Sequence, residues 1–219
     1  LADGQKLPAA RVIWATGGQA YPRTGSDGTG AVLPRQWGHQ VVALRPGLVP
    51  LVTRQALPAA VAGLSLKNIR LRFGAGKKVL CSEIGGLLFT PNGISGPLVL
   101  SLSGWVVDRL AEGQAVWVEI DLKPALSIEQ LEQRLLREAA QHTRQAIRTV
   151  MRGYLPQSLV DPFLAEAGIP VDKKASALAD AERTRIASLL KGLRLDITGN
   201  QGFDEAMVTL GGVSLKEIN

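Results

Sequence analysis

Glycine is spread unevenly along this chain, and that distribution limits the folds open to it more than any other feature. Residues 1–125 hold seventeen glycines, residues 126–192 hold three and residues 193–219 hold four. A glycine inside a helix costs about 1 kcal/mol relative to alanine, whereas turns and tight strand connections use its freedom. The middle segment is therefore predicted to be helical and its flanks to be strands joined by turns, a mixed α+β or α/β class. With 46% apolar residues among 219, the chain can bury a substantial core, which excludes a mainly disordered protein.

The middle segment carries its own helix signature. Ile128, Leu131, Leu135, Ala139, His142 and Ala146 recur every three or four residues, the spacing of one buried face. Ser127 with Gln130 three residues on forms a capping box. Helices over Ser158–Ala167 and Asp180–Leu190 complete a three-helix unit. Outside it the period shortens. Ile69, Leu71 and Phe73 alternate with Arg70 and Arg72, and Gln114–Leu122 and Leu193–Thr198 alternate similarly, so strands bracket the helices. Residues 97–110 read as a buried helix opened by Pro97, with a strand as the alternative. Gly74-Ala75-Gly76-Lys77 reads as a hairpin turn.

Twenty-five basic and nineteen acidic residues give a net charge of +6. It is dispersed as +3, +3, +2 and −2 over residues 1–50, 51–125, 126–192 and 193–219. With aromatics at 5%, there is no dense basic patch interleaved with stacking residues, which argues against nucleic acid as a partner. No run approaches the roughly 18 apolar residues of a membrane span. The opening residues, with a polar turn at Asp3-Gly4, lack the pattern of a secretory leader. Cys81 alone cannot form an internal disulfide, and with only His39 and His142 beside it no Cys/His zinc site is expected; a reducing cytoplasm fits best.

The most informative stretch is Arg11–His39. An apolar strand, Val12–Ala15, runs into Thr16-Gly17-Gly18, and a glycine-rich loop leads to a helix from about Asp27 to Trp37, which Pro34 would break or kink. Glycines admit close backbone approach and a helix start offers free N–H groups, so this edge suits a phosphate or an aromatic ring. An ordinary glycine-rich connection is the alternative.

Ala15-Thr16-Gly17-Gly18, Tyr21-Pro22, Thr24-Gly25-Ser26, Gly28, Gly30, Gly38-His39, Arg45-Pro46 and Leu48-Val49-Pro50-Leu51 together resemble the central part of the HI0933-like, or BaiN-like, NAD(P)/FAD-dependent oxidoreductases. Gly86–Thr90, Gly93-Ile94-Ser95-Gly96-Pro97, Thr198-Gly199, Gly202-Phe203 and Ala206–Val213 extend the resemblance over nearly the whole chain. It implies part of a two-dinucleotide-binding-type FAD domain with a β-barrel-like insert that carries a small helical bundle. Residues 1–50 would belong to the FAD-binding domain. Residues 51–205 would form the insert, barrel-like over 51–125 and 193–205 and helical over 126–192, and residues 206–219 would return to the FAD domain. The family's opening glycine fingerprint and its flavin-closing segment are absent, so the chain is expected to be a central fragment that holds FAD weakly by itself.

The resemblance assigns Ala15, Thr16, Gly17, Gly18, Tyr21, Thr24, Gly25, Gly28 and Gly30 to FAD contact, with NAD(P)H as co-substrate and a hydrophobic small molecule as hydride acceptor. It names no catalytic residue. Thr29 stands where relatives have an acid between the two glycines, and Pro91 where they often have histidine, so neither is carried over. Gly93–Pro97 is read as a capped helix start rather than a nucleophile elbow. His39 is placed at a helix C-terminus, His142 in or near the core, and Cys81 as inert strand packing. Arg134, Arg137, Arg144, Arg148 and Arg152 would share one stripe of a continuous helix, unless Thr143 caps a second helix. That stripe is read as a solvated face. The alternative function is a non-catalytic barrel-and-bundle module that binds RNA or a protein partner through it.

Overall fold

In a computed structural model describing residues 8–217, the glycine-rich flanks form two sheets and the middle segment a helical bundle. In chain order the elements are α1 (Val32–Gln36), β1 (Val41–Gly47), β2 (Leu51–Thr53), α2 (Leu57–Ala60), β3 (Ser65–Ala75), β4 (Lys78–Thr90), β5 (Gly93–Ser95) and α3 (Pro97–Ala111). There follow β6 (Val116–Asp121), α4 (Ile128–Gln141), α5 (Ile147–Met151), α6 (Gln157–Glu166), α7 (Asp180–Lys191), β7 (Leu193–Asn200) and β8 (Val208–Val213). The Asp3-Gly4 turn lies outside the described residues.

Six strands close a barrel in the order β2-β5-β4-β3-β6-β7. Closure pairs every strand of the barrel on both sides, and β3, β6 and β7 turn alternate apolar residues inward, whereas β4 leaves Val79, Ile84 and Leu88 exposed. Leu71 and Phe73 of β3, Val118 and Ile120 of β6, and Leu193 and Leu195 of β7 are buried. Between Leu66 and Ile69 the β3–β4 register slips, and Asn68 there takes the left-handed conformation at φ 56°. That bulge lets both Leu66 and Ile69 face inward although they are an odd number of residues apart. β1 and β8 form a separate two-stranded antiparallel ribbon.

Ribbon and barrel meet on α3. Ser103, fully buried, accepts a hydrogen bond from the Val49 N–H at 3.1 Å and donates to the Leu100 carbonyl at 2.8 Å. Five residues further along that helix, Asp108 takes both Nε and Nη2 of Arg45 from β1, the second at 3.2 Å. On its other side Val99 and Val106 join the barrel core.

The bundle has more pieces than the periodicity predicts. The Ser127–Gln130 capping box forms as expected, with both reciprocal bonds present. However, α4 stops at Gln141, a short α5 follows, and the chain then forms α6, a 3-10 turn over Ala175–Ala177, and α7. Four α-helices therefore replace the expected three. His142 is exposed rather than packed, because the helix ends before the extrapolated face reaches it. The arginine stripe is broken for the same reason: Arg134 pairs with Glu138 at 2.8 Å and Arg148 with Asp161 at 2.7 Å.

Candidate functional site

The Thr16–Gly18 and Gly28–Ala31 segments lie against the β1–β8 ribbon and enclose a cavity of about 250 Å³. Its loop wall includes Ala15, Thr16, Gly17, Gly18, Gly28 and Gly30; its ribbon wall includes Leu44, Thr209, Gly211, Gly212 and Val213. Trp14 sits at the rim, its indole N–H donating to the Gly30 carbonyl at 3.0 Å and its ring edge-on to Trp37 at 5.7 Å. Among the described residues, no charged side chain lines the cavity.

Thr209 anchors the loop. Its hydroxyl oxygen accepts the N–H groups of Gln19 at 2.7 Å and Ala20 at 2.9 Å, and the Gly28 N–H donates to the Gly18 carbonyl at 3.0 Å. Such close packing dictates glycine at two positions for reasons internal to the protein. A Cβ on Gly18 would come within 2.7 Å of Thr209 Cβ, and one on Gly30 would run into the Thr16 hydroxyl. Among the described residues, no backbone carbonyl accepts from the Gly17 or Gly18 N–H.

Six of the nine residues assigned from the sequence thus come together. Tyr21, Thr24 and Gly25 do not line the cavity. They build a separate turn in which Tyr21 donates its N–H to the Phe203 carbonyl at 3.0 Å and the Thr24 hydroxyl donates to the Tyr21 carbonyl at 2.7 Å. Thr209 and the Gly211-Gly212 pair belong to the return strand, where the sequence shows a family block but no signal that Thr209 would serve a loop 190 residues away.

Several local expectations change. Residues 11–18 form no strand among the described residues, and Val12 and Ile13 are 75% and 90% exposed, because no neighbouring strand is present to supply a ladder. The expected helix from Asp27 shortens to a 3-10 turn over Thr29–Ala31 and the five residues of α1, where Pro34 lies in the first turn and displaces no helical hydrogen bond. Asp27 turns to its own loop: it accepts the Thr29 hydroxyl at 2.6 Å and N–H at 3.0 Å, which hold its carboxyl below the usual range. Gly96 starts α3 without a side-chain cap, its φ of 96° suiting glycine alone. His39 meets the Glu217 carboxylate at 3.1 Å. Cys81 is exposed on β4 instead of packed. No group of His, Cys, Asp and Glu among the described residues could hold a metal ion. No described helix is long and apolar enough to cross a membrane.

A closed antiparallel barrel with an appended helical bundle, joined through α3 to a ribbon and a glycine-lined cavity, defines a mixed α+β barrel-and-bundle protein. Residues 45–208 match the family described as the HI0933-like protein barrel and H2TH domain, and the chain belongs to that family. It is similar to the 3-dehydro-bile acid delta(4,6)-reductase of Clostridium scindens, with 31% identity over 99% of this chain and 53% of that protein. It is also similar to the ribosomal RNA dihydrouridine synthases of Escherichia coli, 29% identical over 99% of this chain and 51% of that protein, and of Haemophilus influenzae, 30% identical over 95% and 49%. The chain spans about half the length of these curated relatives.

Proposed function

We propose that this chain is the barrel-and-bundle part, with some flavin-facing loops, of an FAD-dependent oxidoreductase that passes hydride from NAD(P)H to a carbon–carbon double bond of a hydrophobic substrate. The observation that carries this reading is the uncharged cavity between the glycine-rich loop and β8. Its size and lining fit an aromatic ring; they offer nothing to neutralise a pyrophosphate. The relatives' names supply the reaction class, since a delta(4,6)-reductase and a dihydrouridine synthase both add hydrogen across a double bond.

Within that reading the chain's own groups have distinct tasks. The N–H groups of Gly17 and Gly18 would donate to polar atoms of the ring, Thr209 would fix the loop that presents them, and Trp14, Leu44 and Val213 would keep water from the apolar side. Bound flavin would supply the hydride transfer itself. Cytoplasmic residence and weak FAD binding by the isolated chain are part of the same proposal.

The full-length gene product is expected to purify yellow and to bleach under anaerobic NADH or NADPH. Gly28→Leu, which puts a side chain at a φ of 81° and against Gln19 in the loop wall, should lower the flavin content while leaving the barrel's thermal transition in place. A folded, colourless full-length product that takes up no added FAD would overturn the reading.

A uracil ring in ribosomal RNA is the second substrate reading. Two relatives' names favour it, as do Lys67 and Lys123 on the seam between barrel and bundle, which have no carboxylate partner among the described residues. The broken arginine stripe gives no support to a separate RNA-binding module.

A further inference from the structure

Lys67, near the start of β3, and Lys123, just beyond β6, both line two adjoining clefts of about 330 and 530 Å³ where the barrel meets the bundle. Other lysines of this region have counter-ions: Lys191 meets Asp121 at 2.6 Å and Lys173 meets Glu182 at 2.7 Å. Neither Lys67 nor Lys123 has a carboxylate partner among the described residues. Asp121, two residues from Lys123, is engaged by Lys191 and by the Lys123 backbone N–H at 2.9 Å. Burial, followed by repulsion from Arg134, accordingly pulls the Lys123 ammonium below the usual lysine range.

The wall of the smaller cleft also includes Tyr154. Tyr154 is 3% exposed, and its buried hydroxyl has no hydrogen-bond partner among the described residues. Burial and the nearby Glu138 carboxylate raise its pKa, so the phenol keeps its proton. Glu138 itself is neutralised by Arg134, whose guanidinium lies 4.5 Å from the Tyr154 ring centroid. Buried polar groups without partners are uncommon, and a half-buried unpaired cation beside one is a costly arrangement unless an anion completes it. Ile84, Leu126 and Pro156 give the clefts apolar walls, suited to the sugar or base attached to a phosphate.

We propose that this seam is a phosphate-binding site, in which Lys67 Nζ, Lys123 Nζ and the Tyr154 hydroxyl hold a phosphate of a nucleotide or of an RNA strand. Two ammonium groups beside a phenol suit an anion with several acceptor oxygens. The site shares no lining residue with the glycine-lined cavity. Occupied by an RNA strand, it deepens and rests on the second substrate reading.

The test uses the full-length protein with two probes: inorganic phosphate followed by calorimetry, and a fluorescein-labelled oligouridylate followed by anisotropy. Lys67→Ala and Lys123→Ala are each expected to weaken binding roughly tenfold or more. Each should also flatten the salt dependence of oligouridylate binding by about 0.7 in the log–log slope. Tyr154→Phe should weaken it several-fold, whereas Lys77→Ala, at the β3–β4 turn, removes the same charge with no effect. Comparable affinities for the two probes assign the site to free phosphate groups, and much tighter oligouridylate binding assigns it to a strand. Binding of neither probe, or binding unchanged in both lysine variants with unaltered thermal transitions, overturns the proposal. Flavin content and bleaching by NADPH, read on the same preparations, report separately on the oxidoreductase reading.

Discussion

Replacing Ser103 with alanine isolates the bond that ties ribbon to barrel. The Ser103 oxygen is the acceptor for the Val49 N–H at 3.1 Å, and both residues are 0% exposed. Without it the amide is buried with no acceptor, which costs about 1–3 kcal/mol. Alanine also raises helix propensity by roughly 0.5 kcal/mol, which would obscure the loss. Ser101→Ala controls for that gain, because Ser101 lies on the same helix, is exposed, and only donates to the Leu98 carbonyl at 3.0 Å. For a chain of this size each kcal/mol moves the melting temperature by about 2–4 °C. Ser103→Ala should therefore melt about 2–12 °C below Ser101→Ala by scanning calorimetry, with an unchanged urea m value. Equal melting temperatures would show that the Val49–Ser103 bond does not hold the ribbon, and the reasoning would fail.

Gly74→Ala places a Cβ against the Trp117 ring, over which Arg72 and Arg194 lie at 5.9 and 4.8 Å. Overpacking there should cost about 1–3 kcal/mol in urea unfolding and shift the tryptophan emission. The Glu182 carboxyl is held below its usual 4.5, first by the Lys173 ammonium and then by the Ala179 N–H. A depressed acid stabilises the fold above its unfolded pKa and loses that contribution as pH falls through the folded value. Glu182→Gln should therefore be less stable than the unaltered protein at pH 7, with the difference closing below about pH 4 in thermal melts.

Long, one-sided elements were legible and short or distant ones were not. Ile69, Leu71 and Phe73 announce β3 because alternation repeats over several residues, and the Ser127–Gln130 box fixes the start of α4. The three-residue strands β2 and β5 carry no period, yet they close the barrel, β2 pairing with β7 from the far end of the chain. Extrapolation misled where a helix stopped: α4 ends at Gln141, so His142 and the arginines beyond it depart from the projected faces. At the candidate site the glycines were visible as composition. The packing reasons for Gly18 and Gly30 were not, since they reside in the side chains of Thr209 and Thr16.

The two walls of the glycine-lined cavity are held with unequal firmness, and this decides which of them can move. The ribbon wall is fixed to α3 twice, by Arg45 on Asp108 and by Val49 on Ser103, and α3 is itself set in the barrel core by Val99 and Val106. The loop wall is tied to the ribbon by the Thr209 hydroxyl, whereas the Gly28–Gly18 backbone bond and the exposed Trp14 indole on the Gly30 carbonyl join the loop's own segments. An exposed hydrogen bond opens at little cost, whereas separating the ribbon from α3 strips a buried amide of its acceptor. A ring entering the cavity will therefore displace the Thr16–Gly18 and Gly28–Ala31 segments and leave β1 and β8 in place. Thr209 stands at the junction, in the firm wall while its hydroxyl accepts from Gln19 and Ala20 of the other, so Thr209→Val is expected to loosen the loop and leave the ribbon in place.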